Sequence, residues 1–135
     1  DPGTVAVPGS SRKVITVGAV DIAGRQGGKS RAKWDYSGRG PTEDCVMKPD
    51  LVAPGTYITS CSVDYRHRFR KPYTVKSGTS MATPVVSGAI ACLLSKYPDM
   101  TNVEVKLKLR ESCVPSEHTQ GWGMLHVGRL LSAGC

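Results

Sequence analysis

The chain has few aromatic side chains, a deficit of acidic residues and no long apolar run. Aromatic residues make up 6% of its 135 residues, with a single phenylalanine. No apolar stretch approaches the roughly 20 residues needed to cross a bilayer, so we expect no membrane partner. No charged-then-apolar leader follows Asp1, so any secretory signal should lie upstream of it. The overall 39% hydrophobic and 21% charged content is typical of a globular domain.

The cysteines are odd in number and have no metal-binding spacing. None of the five forms a Cys-x-x-Cys pair, which leaves a zinc site without support. Cys92 lies in an apolar segment and is expected to be a small core residue. Cys45 and Cys61 flank a predicted strand and could pair, but their spacing does not fix their distance. We favour reduced thiols over a disulfide.

The shortage of acidic residues leaves a net charge of +7 and a pI near 9.3. The basic residues concentrate in segments 25–39 and 66–76, and the second interleaves aromatic and cationic side chains, as single-strand binders do. No nucleic-acid-binding motif accompanies them, and charge runs are usually solvated loops. We therefore expect no nucleic-acid partner and keep a basic nucleic-acid-binding domain as the weaker alternative.

One hydroxyl lies where a helix is predicted to begin. Ser80 follows a Gly-Thr turn and precedes an apolar segment, 85–94. Free backbone N–H groups and the positive end of the helix dipole meet at such a position. A serine there can attack a carbonyl while its own N–H stabilises the oxyanion. The alternative is that Ser80 serves only as the N-cap of the helix.

Three segments resemble the subtilisin-like serine peptidases, the subtilases, in their order and spacing. They are Val-Ile-Thr-Val-Gly-Ala-Val-Asp at 14–21, Lys-Pro-Asp-Leu-Val-Ala-Pro-Gly at 48–55 and Gly-Thr-Ser-Met-Ala-Thr-Pro at 78–84. The resemblance implies an α/β fold: the C-terminal portion of a subtilisin-like three-layer fold, with a parallel sheet, a β-hairpin and a buried central helix. Residues 1–135 would be the C-terminal part of a peptidase domain. Val85 departs from the histidine of many members, but that histidine is not the general base.

The resemblance also implies a function. Ser80 would be the catalytic nucleophile of a serine endopeptidase that hydrolyses peptide bonds through an acyl-enzyme and requires no cofactor. The family's catalytic aspartate and histidine and its oxyanion asparagine would precede Asp1. Each of the three histidines present, at positions 67, 118 and 126, has another explanation. The isolated chain should therefore be inactive.

The partners implied are a polypeptide substrate and the missing N-terminal half of the domain. Without that half, a sheet edge and an apolar helix would be uncovered, so the fragment is expected to self-associate or to persist with its partner half bound. A catalytically dead scaffold or sensor is the main alternative function. The resemblance favours a secreted or cell-surface location and leaves a cytoplasmic one open.

Some subtilases bind a structural cation through loop carbonyls and one acid. The matching positions here are Gly9, Ser11, Val14 and Asp50. Their oxygen atoms would suit a monovalent or calcium ion. We favour the alternative, in which Asp50 anchors the loop by a hydrogen bond.

The pattern along the chain predicts the following elements. A strand at 13–20 is buried on both faces, and a surface connection at 21–42 is anchored by Trp34. A short strand at 51–53 precedes a hairpin with arms at 57–63 and 72–77. A helix at 80–97 is apolar almost all round, and its Gly88 suggests close packing against another element. Segment 101–110 alternates like a strand, but Thr101 and Glu104 form a capping box, and we follow the box. A closing segment at 122–127 leads into a short helix at 127–132.

Overall fold

The computed structural model describes residues 3–21, 37–63, 71–115 and 121–132. Several sequence predictions lie outside these residues. They concern the greater part of the 21–42 connection with Trp34, much of the two basic segments, His67, His118 and Cys135.

The centre of the fold is a pair of parallel strands, β1 (Val17–Val20) and β2 (Leu51–Pro54), with Val17 opposite Leu51. This pairing confirms the predicted parallel sheet, and all residues of the two strands except Val17 and Pro54 are buried. Strand β1 is shorter than the predicted 13–20. The ladder begins late because the Thr16 N–H donates to the Asp50 carboxylate at 2.8 Å.

A third chain segment lies beside β2. The Val52 N–H donates to the Gly123 carbonyl at 2.9 Å, and the Leu125 N–H donates to the Val52 carbonyl at 2.9 Å. Gly121 and Gly123 have φ values of 79° and 111°, which disfavour any residue with a Cβ. The predicted tight approach of the closing segment is confirmed.

The predicted hairpin is also confirmed. Strands β3 (Ile58–Cys61) and β4 (Tyr73–Lys76) pair in antiparallel fashion, with Ile58 opposite Lys76. Most of its side chains are exposed, including Tyr73 and Val75. The hairpin therefore contributes little to the core.

Helix α1 (Thr79–Lys96) begins within one residue of the prediction but is not buried all round. Its buried residues are Ala82, Val86, Ala89 and Leu93. No atom of the described residues lies within 4 Å of a Cβ placed on Gly88, and Cys92 is exposed. The predictions that Gly88 packs closely and that Cys92 is a core residue are therefore wrong for this chain. The described elements that pack on α1 are β1, β2 and α3 (Val127–Ser132), and they cover one side of it.

Helix α2 (Asn102–Ser112) starts with the predicted capping box. The Glu104 N–H donates to the Thr101 hydroxyl at 3.3 Å, and the Thr101 N–H donates to the Glu104 carboxylate at 2.7 Å. The hydrogen bond from the Thr101 backbone, followed by that from its hydroxyl, lowers the pKa of Glu104. Val105 and Leu109 are buried one turn apart, whereas Val103 and Leu107 are exposed. The four alternating apolar residues therefore do not share one face: Val105 and Leu109 lie on the buried side of the helix, and Val103 and Leu107 lie on the exposed side.

Within the described residues the cysteines are free thiols: Cys45, Cys61, Cys92 and Cys113. This confirms the preference for reduced cysteines in that part of the chain. Cys113, and not Cys92, is buried, and desolvation raises its pKa to about 11. Its thiol is therefore neutral at physiological pH and packs as a small apolar group.

The remaining helix, α3, has the predicted bounds. Leu130 on α3 and Leu109 on α2 are fully buried in the same core as Leu51 and Leu93. No helix in the described ranges is long and apolar enough to cross a membrane.

Candidate active site

The turn that precedes α1 is fastened to the end of the parallel sheet. The Gly55 N–H donates to the Val20 carbonyl at 3.1 Å, and the Gly78 N–H donates to the Gly55 carbonyl at 2.8 Å. A Cβ on Gly55 would lie 2.5 Å from the Cβ of Ala19 and 2.8 Å from the Gly78 carbonyl oxygen. Only glycine allows this approach. The start of α1 is therefore held at the carboxyl ends of β1 and β2, where open α/β sheets bind their ligands.

Ser80 is the second residue of α1, and the N-cap is Gly78. Gly78 has a φ of 154° and makes no side-chain cap, while its carbonyl accepts the Met81 N–H at 3.0 Å. The alternative in which Ser80 serves as the N-cap is therefore wrong. Its hydroxyl is left for another role.

Two hydroxyls that follow Ser80 along α1 are bonded back to the helix. Thr83 donates to the Thr79 carbonyl at 3.0 Å, and Ser87 donates to the Thr83 carbonyl at 3.2 Å. Ser80 is exposed, and neither its hydroxyl nor its N–H has a hydrogen-bond partner within the described part of the chain. No acidic residue lies in the first turn to offset the positive end of the dipole. The position thus presents an available hydroxyl and an available N–H donor side by side.

One histidine, His126, lies in the described residues, and it has a structural role. Its Nδ1 accepts the Arg129 N–H at 3.1 Å, which caps the start of α3. Because that ring nitrogen is already bonded, His126 is not set up as the base of a nucleophilic serine. The sequence did not predict this cap, although a histidine directly before a short helix is compatible with one.

Two of the four candidate cation ligands are brought together, but around a lysine. The Lys48 ammonium donates to Asp50 Oδ2 at 2.7 Å and to the Val14 carbonyl at 2.9 Å. The Gly9 carbonyl accepts the Thr16 hydroxyl at 2.6 Å, and the Ser11 hydroxyl accepts the Lys13 N–H at 3.4 Å. The described residues contain no group of three His, Cys, Asp or Glu that could hold a metal ion. Sequence reasoning missed Lys48 because a lysine in a loop is normally exposed.

Comparison with known proteins identifies the family. The sequence profile of the Subtilase family matches residues 1–123. The chain is 40% identical over 118 residues to Serine protease AprX of Bacillus subtilis, a match that covers 82% of this chain and 27% of that protein. It is 33% identical over 126 residues to Subtilisin of Bacillus pumilus, covering 92% of this chain and 39% of that protein. The chain belongs to the subtilase family.

A solved structure agrees with this assignment. The CspB protease of Clostridium perfringens superposes with a TM-score of 0.77 at 28% sequence identity, over 96% of this chain and 28% of that chain. The architecture is therefore part of a subtilisin-like α/β fold, as the sequence predicted. The chain spans 27% and 39% of the lengths of the two relatives named above.

Proposed function

We propose that this chain carries the nucleophile, Ser80, of a serine endopeptidase that cleaves polypeptides through an acyl-enzyme. The observation that carries the proposal is the position of Ser80 at the start of α1, which the Gly78–Gly55 hydrogen bond holds at the carboxyl end of the parallel sheet. There an exposed hydroxyl lies beside a backbone N–H, and neither has a hydrogen-bond partner within the described residues. In a member of this family, an unbonded serine hydroxyl at the start of a helix is best explained by a role as the catalytic nucleophile.

The chemistry follows from that position. The Ser80 Oγ forms a bond to the carbonyl carbon of the substrate and passes its proton to a general base. The oxyanion then accepts the Ser80 N–H, with the positive end of the α1 dipole adding to its stabilisation. The base returns the proton to the leaving amine as the C–N bond breaks, and water hydrolyses the resulting ester. Only protein groups and water take part, so no cofactor is required.

The base, the residue that orients it and the second oxyanion donor would come from another part of the protease. His126, the histidine that the structure describes, already caps α3. The exposed face of α1, which includes Gly88 and Cys92, is where we propose that this other part packs. The isolated chain would then be inactive, because a serine hydroxyl without a base remains protonated and weakly nucleophilic. For the location of the parent protein, we retain the secreted or cell-surface prediction.

A covalent probe tests the proposed nucleophile. The full-length protein is expected to be labelled by a fluorophosphonate at Ser80, since the probe needs an activated serine. The Ser80→Ala variant should lose the label, and Ser87→Ala should keep it, because Ser87 donates to a helix carbonyl. Peptide mapping by mass spectrometry locates the adduct. Labelling at another serine would refute the assignment, and a folded protein without any label would favour the dead scaffold or sensor.

The exposed face of α1 leads to a prediction for the isolated 135-residue chain. Helix faces that pack in a larger assembly expose apolar surface when their partner is removed. We therefore expect the isolated chain to self-associate at micromolar concentration, with sedimentation velocity resolving species heavier than the 14.4 kDa monomer. Co-expression with the rest of the protease should suppress this association. A clean monomer that unfolds cooperatively would contradict the proposed partner.

A substitution at Gly88 tests more directly whether the exposed face of α1 is covered by a partner in the full-length protein. In the isolated chain no atom of the described residues lies within 4 Å of a Cβ at this position, so Gly88→Ala should stabilise α1 by about 1 kcal/mol through helix propensity. In the full-length protein the same substitution should destabilise it, because the added methyl would meet the packed partner. Urea denaturation of both forms supplies the comparison, with the isolated chain kept below the concentration at which it self-associates. If Gly88→Ala stabilised the isolated chain and the full-length protein equally, the rest of the protease would not pack on this face of α1.

A further inference from the structure

Lys48 is a buried charge placed where the family resemblance would put a cation. It is 1% exposed, the lowest exposure of any charged side chain in the described residues. Its ammonium lies 2.7 Å from Asp50 Oδ2, and Asp50 is 7% exposed. A buried charge is costly unless it is paired and hydrogen-bonded, so a lysine is found here only where its bonds are provided.

The bonds of Lys48 use the oxygen atoms that would otherwise hold a metal ion. Its Nζ donates to Asp50 Oδ2 and, at 2.9 Å, to the Val14 carbonyl. A second lysine, Lys106, reaches the same loop from α2 and donates to the Arg12 carbonyl at 2.9 Å and the Val14 carbonyl at 3.4 Å. Two ammonium groups thus converge on the carbonyls that precede β1.

Two oxygen atoms of the set are also used by Thr16. The Gly9 carbonyl is bonded by the Thr16 hydroxyl, and the Asp50 carboxylate also accepts the Thr16 N–H. Calcium requires six to eight oxygen ligands at about 2.3–2.6 Å. A divalent ion among these oxygens would lie against the Lys48 ammonium, where charge repulsion is strong because little solvent is present to screen it. The residues therefore do not fit a bound cation.

We propose that the Lys48 ammonium takes the place of a structural cation and makes this part of the fold independent of metal ions. It neutralises Asp50 and ties the loop at 9–16 to the start of β2. The tie is continuous with the sheet, because the Asp50 N–H donates to the Thr16 carbonyl at 2.8 Å and the Asp50 carbonyl accepts the Trp122 N–H at 2.7 Å. This inference concerns stability and does not rest on the role of Ser80.

The test compares metal dependence with and without the lysine in the full-length protein. The wild-type melting temperature should be the same in chelator and in millimolar calcium or potassium. The Lys48→Ala variant should melt about 10 °C lower in chelator, because Asp50 is left as an unpaired buried charge. Calcium or potassium should restore at least half of that loss. The control Lys76→Ala, on the exposed hairpin strand β4, should show neither change.

Terbium luminescence provides a readout that does not depend on activity or melting. The Trp122 ring centroid lies 5.9 Å from the Lys106 Nζ, so a terbium ion near the Val14 carbonyl would be excited through this indole. We expect no terbium signal that depends on Asp50 in the wild type. A signal should appear in Lys48→Ala and disappear again in the double variant Lys48→Ala, Asp50→Asn.

Each outcome decides the proposal. It is overturned if the wild type binds terbium at a site that Asp50→Asn removes, or if chelator lowers the wild-type melting temperature in a way that Asp50→Asn abolishes. It is also overturned if Lys48→Ala folds but gains neither terbium binding nor stabilisation by cations. If Lys48→Ala does not fold, the double variant Lys48→Met, Asp50→Asn decides, because it removes both charges and keeps a long side chain. That variant should fold, and its melting temperature should be the same with and without metal ions. If it does not fold, the proposal that the Lys48 ammonium replaces a structural cation is refuted.

Discussion

Substitution of Ser80 by alanine is expected to lower kcat, and with it kcat/KM, of the full-length protein by about 10⁶-fold. The reason is that the proposed acyl-enzyme cannot form without the hydroxyl, and members of a catalytic triad act as a unit. A loss of this order is known for subtilisin, itself a member of the family. The measurement is steady-state hydrolysis of a fluorogenic peptide, with KM determined separately from kcat.

The variants around Ser80 separate chemistry from folding. KM and the melting temperature should change little in Ser80→Ala, because the side chain is exposed and makes no hydrogen bond within the described residues. Ser87→Ala removes a hydroxyl two turns further along α1 and should leave kcat within about twofold. A loss of kcat in Ser80→Ala that matched a loss of stability would assign Ser80 a structural role.

The elements that the sequence predicted best are those with a local physical signal. The Gly-Thr turn before the apolar run located the start of α1 to within one residue, and the capping box of Thr101 and Glu104 correctly outweighed the strand-like alternation. The hairpin followed from β-branched and aromatic arms on either side of a polar loop. In each case the deciding interaction joins residues that are close in sequence.

The features that the sequence missed depend on distant residues. Strand β1 starts at Val17 because Thr16 is bonded to Asp50, 34 positions away. The burial of Lys48 requires the Val14 carbonyl, also 34 positions away, and no local pattern marks it. Gly88 and Cys92 look like core residues from their neighbours, yet whether they are buried depends on what covers that face of α1.

The proposed active site and the Lys48 tie are linked through the same short sheet. Asp50 directly precedes β2, and Gly55, directly after β2, accepts the Gly78 N–H that fixes the start of α1. A displacement of the chain at Asp50 would therefore be transmitted along a four-residue strand toward the turn that holds Ser80. Backbone packing near Asp50 is therefore expected to matter for both stability and catalysis.

Gly121→Ala is expected to be, with Gly123→Ala, among the most destabilising single methyl additions in the described part of the chain. The new Cβ would lie 2.3 Å from the carbonyl oxygens of both Pro49 and Asp50, well inside van der Waals contact. The φ of 79° adds a conformational cost of about 1–2 kcal/mol for a residue with a Cβ. Overpacking against backbone adds about 1–3 kcal/mol. The variant should therefore lose about 2–5 kcal/mol of unfolding free energy in urea denaturation of the full-length protein, together with the Trp122 bond to Asp50.

Gly3→Ala is the matched control for this prediction, because it isolates the conformational cost from the clash. Gly3 has a similar φ of 74°, but the nearest atom to its Cβ position is the Pro41 carbonyl oxygen at 4.0 Å. Gly3→Ala should lower the free energy of unfolding by only the cost of the left-handed conformation, about 1–2 kcal/mol. Any further effect at this exposed position should stay within about 0.5 kcal/mol. A difference between the two variants therefore measures the contact with the Asp50 segment. Equal losses would show that the backbone at 49–50 moves away at little cost, and the proposed transmission from Asp50 through β2 to Ser80 would then fail.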